Sequence, residues 1–456
     1  MTQQQSTSVL IIGILTLLSL IPWTIALRRA HVFGDWDLTS TLVLLIGVLA
    51  NLPSTAYVIV SGRKERLDPL GDTVIGFPSW VNRIDFVTNS LMLAACVLFL
   101  VGRLLVARAR VNTAPLIATV IVLTLIASDG LHGQPLWTPR EFTLLAALLA
   151  AAVARPGRSA LLGGAAVAMV YTVLGGIESF AEQATVVRPC RADDPCSVLN
   201  ILYAGVFTNE NTFSLLVVVC IPFVWLGLRG KVRVLLACYL AFVALASGSY
   251  LAGATAILSV ALLALLRPTL PDRSARTPVA GVSPGRGLLA GAALAAATFL
   301  GFAVPIRHAR FGDLGLRAAI WDQAKDEWTR SPLLGYGGKA WSAKYQGGDI
   351  PAATSPSLHN QWIDVLYAGG IIGLLLFAAL LAYLLFRGGT RGFPAASCVL
   401  LPVVLASVLE RPWSFGISNS LTFALVAATV LPAATRGRVG ATGHQHPSKP
   451  RMMSDV

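Results

Sequence analysis

The sequence predicts an all-α polytopic membrane protein with about 12 or 13 transmembrane helices and one large extracytoplasmic loop. Three observations carry that prediction. Of 456 residues, 55% are hydrophobic and 12% charged, and the mean hydropathy of +0.70 lies far outside the soluble range. The apolar residues gather into runs of about 17 to 25, the length a bilayer core requires. A single long polar stretch, 307–360, interrupts them.

In chain order the runs lie near 9–27, 40–61, 88–107, 112–128, 141–156, 158–180, 211–228, 232–248, 250–266, 287–306, 361–386, 394–409 and 417–434. One of the short pair 112–128 and 141–156 could be re-entrant. Three membrane regions follow: helices over 1–306, the loop 307–360, and further helices over 361–434, with a polar cytoplasmic tail at 435–456. The first run follows MTQQQSTS, which lacks a positive n-region, so it reads as a retained helix.

Lys and Arg in short loops set the orientation. Arg229, Lys231 and Arg233 share one loop, Arg267, Arg273, Arg276 and Arg286 the next on that side, and Arg387 and Arg391 a third. These loops and the C-terminus are therefore expected in the cytoplasm, and 307–360 outside. The loop 61–85 conflicts with this, since it carries Arg63, Lys64, Arg66 and Arg83 yet falls outside in a thirteen-span count. The net charge of +13 comes from these scattered clusters rather than one basic face, which assigns it to lipid headgroups and not to nucleic acid.

Four of the six cysteines lie in apolar runs and read as small core residues. Cys190 and Cys196 sit in a polar loop on the expected outer side, where a short disulfide can form. Neither they nor any His nearby make a zinc set.

Chemistry concentrates in the loop. Leu314, Ala318, Trp321 and Trp328 recur at helical spacing among Arg317, Asp322, Lys325, Asp326 and Arg330, which predicts an amphipathic helix on the membrane surface. Arg317 there offers a fork for phosphate, or else an interfacial anchor paired with Asp313 or Asp322. His359 follows the loop at the start of the next span, where an imidazole can take a proton from a hydroxyl. Asn360 would cap that span or orient the ring, and Asp364 is a second partner for His359. Glu410 and Arg411 could form an ion pair at a helix end.

The order Arg317-x3-Trp321, SPLLGYGG, then LHN before an apolar helix with AGGIIG resembles the O-antigen ligase and polymerase family of bacterial membrane glycosyltransferases. Upstream, GVFTNENTFSLL resembles that family's Gly-x-Phe-x-Asn-x-Asn segment at Asn211. Ser249-Tyr250 stands where members carry Ser-Arg. Tyr250 is a departure, because a phenol brings no charge to a phosphate; Arg411 is the candidate substitute.

The resemblance implies a GT-C-like fold in the bacterial plasma membrane, with a glycan moved from a polyprenyl-diphosphate carrier to an acceptor hydroxyl at the outer face. It implies no cofactor and no metal. His359 and Arg317 would be catalytic. Trp321, Asn211, Tyr250, Ser249, Tyr336, Asn360 and Arg411 would bind substrate. The acceptor would be a glycan or glycolipid. A flippase for the same lipid-linked glycan, or a non-catalytic envelope-assembly partner, is the alternative.

Overall fold

The computed structural model describes residues 2–62, 76–106, 111–188, 190, 196–270, 283–307, 316–350 and 356–432. Asp313, most of the linker 267–286 and the tail lie outside these residues, as do Arg63, Lys64 and Arg66. Helices run in the order α1 (Gln3–Val32), α2 (Leu38–Ser61), α3 (Ser79–Val106), α4 (Thr113–Leu131), α5 (Pro139–Val153), α6 (Arg158–Ala181) and the short α7 (Gln183–Val186). After a two-stranded antiparallel ribbon, β1 (Val187–Arg188) with β2 (Leu202–Tyr203), come α8 (Glu210–Gly227), α9 (Val232–Ala246), α10 (Tyr250–Leu266) and α11 (Pro284–Arg307). The polar stretch 316–350 supplies α12 (Leu316–Trp328) and α13 (Ala340–Gly347), and α14 (Gln361–Phe386), α15 (Gly389–Ala406) and α16 (Thr422–Thr429) complete the bundle.

Among the described residues, nine helices are long and apolar enough to cross a bilayer, and α9 and α10 are shorter apolar helices. The fold is an all-α, multi-pass membrane protein. All thirteen expected runs contain a helix. The last holds only the eight residues of α16, because Ser418, Asn419 and Ser420 precede it and Asn419 accepts from the backbone N–H of Leu421, closing a turn.

Helix starts follow local chemistry. Thr2, Asp37 and Thr138 begin α1, α2 and α5 with reciprocal capping boxes, and Asn209 and Asn360 cap α8 and α14. Of the nine long apolar helices α8 is the most enclosed, with 83% of its apolar stretch buried, whereas α3 and α11 lie at the edge with 22%. Small residues permit close helix approach, as expected where lipid offers no hydrophobic drive between helices. A Cβ on Gly163 of α6 would stand 2.4 Å from the Ser40 carbonyl of α2.

Hydrogen bonds sort the helix ends into two faces. On one, which we call the near face, the Gln361 N–H at the start of α14 donates to Ser407 O just beyond α15, Arg140 at the start of α5 pairs with Asp85 in α3, and Ser8 in α1 bonds Leu199 before α8. On the far face, Ser40 bonds Ser159, Asn112 bonds Ala151 and Ala154, and Arg229 pairs with Asp35. Successive spans alternate between the faces, so the connection between α2 and α3 shares the near face with His359. Helix order among the described residues therefore keeps the charge conflict noted for 61–85.

Candidate active site

The polar segment folds onto the near face around a small core of its own, in which Ile320, Trp321 and Ala324 of α12 meet Trp341, Leu358, Ile363 and Tyr367. The expected amphipathic helix is present, but its apolar face packs on protein rather than on lipid. Amphipathicity shows that one face is covered and does not show by what.

The segment's central turn explains two sequence motifs together. At Gly370, with φ 60° and ψ −159°, α14 breaks its own hydrogen-bond ladder. The turn Pro332 to Gly337 takes up the groups this exposes: Tyr336 N–H donates to Tyr367 O at 2.9 Å and Gly337 N–H to Ala368 O at 2.8 Å. In return Ile371 N–H reaches Pro332 O at 2.9 Å and Ile372 N–H reaches Leu333 O at 3.2 Å. SPLLGYGG and AGGIIG are thus the two halves of one interlock. Backbone polar groups buried at membrane depth need such partners.

Lys339, next along, anchors the turn to the bundle. Its backbone N–H donates to Asp129 Oδ1 at 3.1 Å and its Nζ meets Glu141 Oε1 at 2.7 Å, both carboxylates being fully buried. Beside it opens a cleft of about 470 Å³, rimmed by Gln134, Arg140, Ser342 and Gln346. Farther round, burial pushes the Glu327 carboxyl up, yet hydrogen bonds from Lys344, Gln323 and Tyr367 outweigh it and hold the group below the usual carboxylate range.

The interlock and the cap deliver His359 to one place. Leu358 is buried, Asn360 caps α14, and His359 between them adopts φ 48°, the left-handed region that few side chains enter. Its Nδ1 lies 3.0 Å from Glu410 Oε2, and the other oxygen of Glu410 accepts from Arg317 Nη2 at 3.2 Å. One carboxylate thus joins the two residues the sequence singled out. An ionised carboxylate only accepts, so the proton belongs on Nδ1 and Nε2 presents a lone pair. All three side chains are partly open to solvent, at 25%, 17% and 29% for His359, Glu410 and Arg317.

Several expectations change. Glu410 and Arg411 do not pair with each other: Arg411 Nη1 meets Asp364 Oδ1 at 3.1 Å, so Asp364 is taken and Glu410 serves His359. Asp322 pairs with Lys325. Trp321 is fully buried with its indole N–H donating to Leu358 O at 2.6 Å, a support for the His359 loop rather than an open sugar platform. Asn360 is equally buried and engaged, its amide reaching Gly301 O and Val408 O while its oxygen accepts from Ile363 N–H. In this structure it serves as the cap of α14. Phenylalanine at Trp321 should leave the Leu358 carbonyl unpaired, lowering stability by about 1–3 kcal/mol, which thermal unfolding of the purified variant would register.

Tyr336 keeps a partly open ring stacked 5.3 Å from Tyr367, with its hydroxyl donating to Glu327 O. Asn211, Ser249 and the 72% exposed Tyr250 stand at the near-face starts of α8 and α10. Glu210 pairs with Arg188 at 2.7 Å. Cys190 and Cys196 are joined as a disulfide, with Cα atoms 5.2 Å apart. The sequence reading passed over Glu410 as a bridge and Lys339 as an anchor; their partners lie far off along the chain, and no local pattern marks them.

Residues 196–378 match the family model described as O-antigen ligase. The match takes in Asn211, Ser249, Tyr250, Arg317, Trp321, Tyr336, His359 and Asn360, and ends before Glu410 and Arg411. No curated protein matches the chain.

Proposed function

We propose that this chain, which carries an O-antigen ligase segment over residues 196–378, transfers a glycan from a polyprenyl-diphosphate carrier to an acceptor hydroxyl at the outer face of the bacterial plasma membrane. The observation that carries the reading is the Glu410 carboxylate shared by His359 and Arg317. His359 Nε2 takes the proton as the acceptor oxygen bonds to the anomeric carbon. The bond from that carbon to the diphosphate oxygen breaks, and its electron pair leaves with the diphosphate. Arg317 stands where it can meet the growing negative charge, with Arg411 the next cation available. Arg317 must exchange part of its contact with Glu410 for the donor, and its partial exposure leaves room for that exchange.

Charge supports the outward placement of this face. Among the described residues the far-face carboxylates are Asp35 and Asp37, while Arg29, Arg158, Arg229, Lys231 and Arg387 are among its cations. The near face holds the remaining acidic residues. An excess of Lys and Arg marks the cytoplasmic side.

The test uses the full chain in lipid with a polyprenyl-diphosphate-linked oligosaccharide, with and without acceptor and with EDTA. A ladder of lengthening glycan from donor alone marks a polymerase, and one product that needs an acceptor marks a ligase. Transfer unaffected by EDTA is expected, since the proposed step uses only side chains. No transfer from any polyprenyl-linked donor by well-folded protein would overturn the reading.

A further inference from the structure

The far face carries a second site of different character. Between the end of α1, the start of α6 and the turn from α8 to α9 lies a cavity of about 420 Å³ lined by Arg158, Arg229, Lys231 and Arg233. Arg29 belongs to the same cluster, since a Cβ on Gly230 would stand 2.9 Å from its Nη1. The cations arrive from three connections far apart in sequence. Arg229 holds Asp35 through Nε and Nη2, at 2.5 and 2.9 Å. With Asp37 counted as well, the five cations outnumber the far-face carboxylates among the described residues.

Backbone geometry points the same way. α6 begins at Arg158 after Gly157, and α9 begins after Lys231, and neither start has a side-chain cap hydrogen bond. Both therefore turn the positive ends of their peptide dipoles toward the cavity. Arg233 also lies over the Trp225 ring, 5.3 Å from its centroid, which fixes the guanidinium at the end of α8. The cluster sits where α1 and α8 end and α6 and α9 begin.

We propose that this cavity binds the phosphate-bearing headgroup of an anionic bilayer lipid. Scattered loop cations satisfy the general charge bias of a cytoplasmic face. Convergence of several on one concave site with two uncapped helix starts is what a discrete phosphate needs. The site lies on the face opposite His359 and does not depend on the transfer reaction.

Native mass spectrometry of the full chain tests this, with phosphatidylglycerol and phosphatidylcholine as probes. Wild type should retain one phosphatidylglycerol, and the Lys231→Ala/Arg233→Ala variant should bind it about 30-fold more weakly, with phosphatidylcholine retention the same in both. The Lys231→Arg variant should bind as wild type does. If the double variant unfolds, Lys231→Gln replaces it, because Lys231 is exposed. Equal retention of the two lipids by wild type, or no loss in the variants, overturns the proposal. Displacement of phosphatidylglycerol by millimolar inorganic phosphate would reassign the site to a soluble ion and overturn the lipid assignment.

Discussion

Glycan transfer by His359→Ala is expected to fall about a hundred- to ten-thousand-fold, with the protein still monodisperse. The loss is that of the group that accepts the acceptor's proton. Glu410→Ala should cost about a hundredfold, because both His359 and Arg317 lose the partner that aims them, and small misplacements of reacting groups are expensive. Glu410 touches no reacting atom in this scheme and acts as a positioning residue. Its signature is non-additivity: the His359→Ala/Glu410→Ala double variant should be little worse than His359→Ala alone. A full multiplicative loss in the double variant, or an active His359→Ala, would remove His359 from the mechanism.

Gly370→Ala should damage the fold severely. Its φ of 60° with ψ −159° belongs to a region that glycine alone enters readily, and holding alanine there costs about 1–3 kcal/mol. The new Cβ would also stand 2.3 Å from the Leu333 carbonyl group, so the turn must retreat. Each of the four interlock hydrogen bonds lost adds about 1 kcal/mol. Gly369→Ala is the control, since its Cβ would meet only the tip of Leu125, at 2.9 Å. Thermal unfolding in detergent should separate the two variants clearly. If Gly370→Ala unfolds with the wild type, the interlock does not hold the outer segment.

How far the sequence reaches depends on the range of the interaction. Spans were legible because length and apolar composition are local properties, and α14 agrees with the expected run 361–386. The run 417–434 misled, since composition cannot show that Asn419 closes a turn before α16. His359 and Arg317 stood out as polar residues at an apolar boundary. Their common partner did not, because Glu410 lies 51 residues from one and 93 from the other, and a neighbouring arginine offered a simpler pairing. Trp321 and Asn360 show the reverse limit, since both are buried and engaged in structural hydrogen bonds. An indole or amide near a site reads as a ligand contact until its burial is known.

The interlock at Gly370 also has an evolutionary consequence. Because the Pro332 to Gly337 turn and the broken stretch of α14 are paired atom for atom, a one-residue insertion in either would have to be matched in the other. Across descendants of this sequence, the two glycine motifs should therefore be inherited as a unit, with insertions and deletions falling outside both.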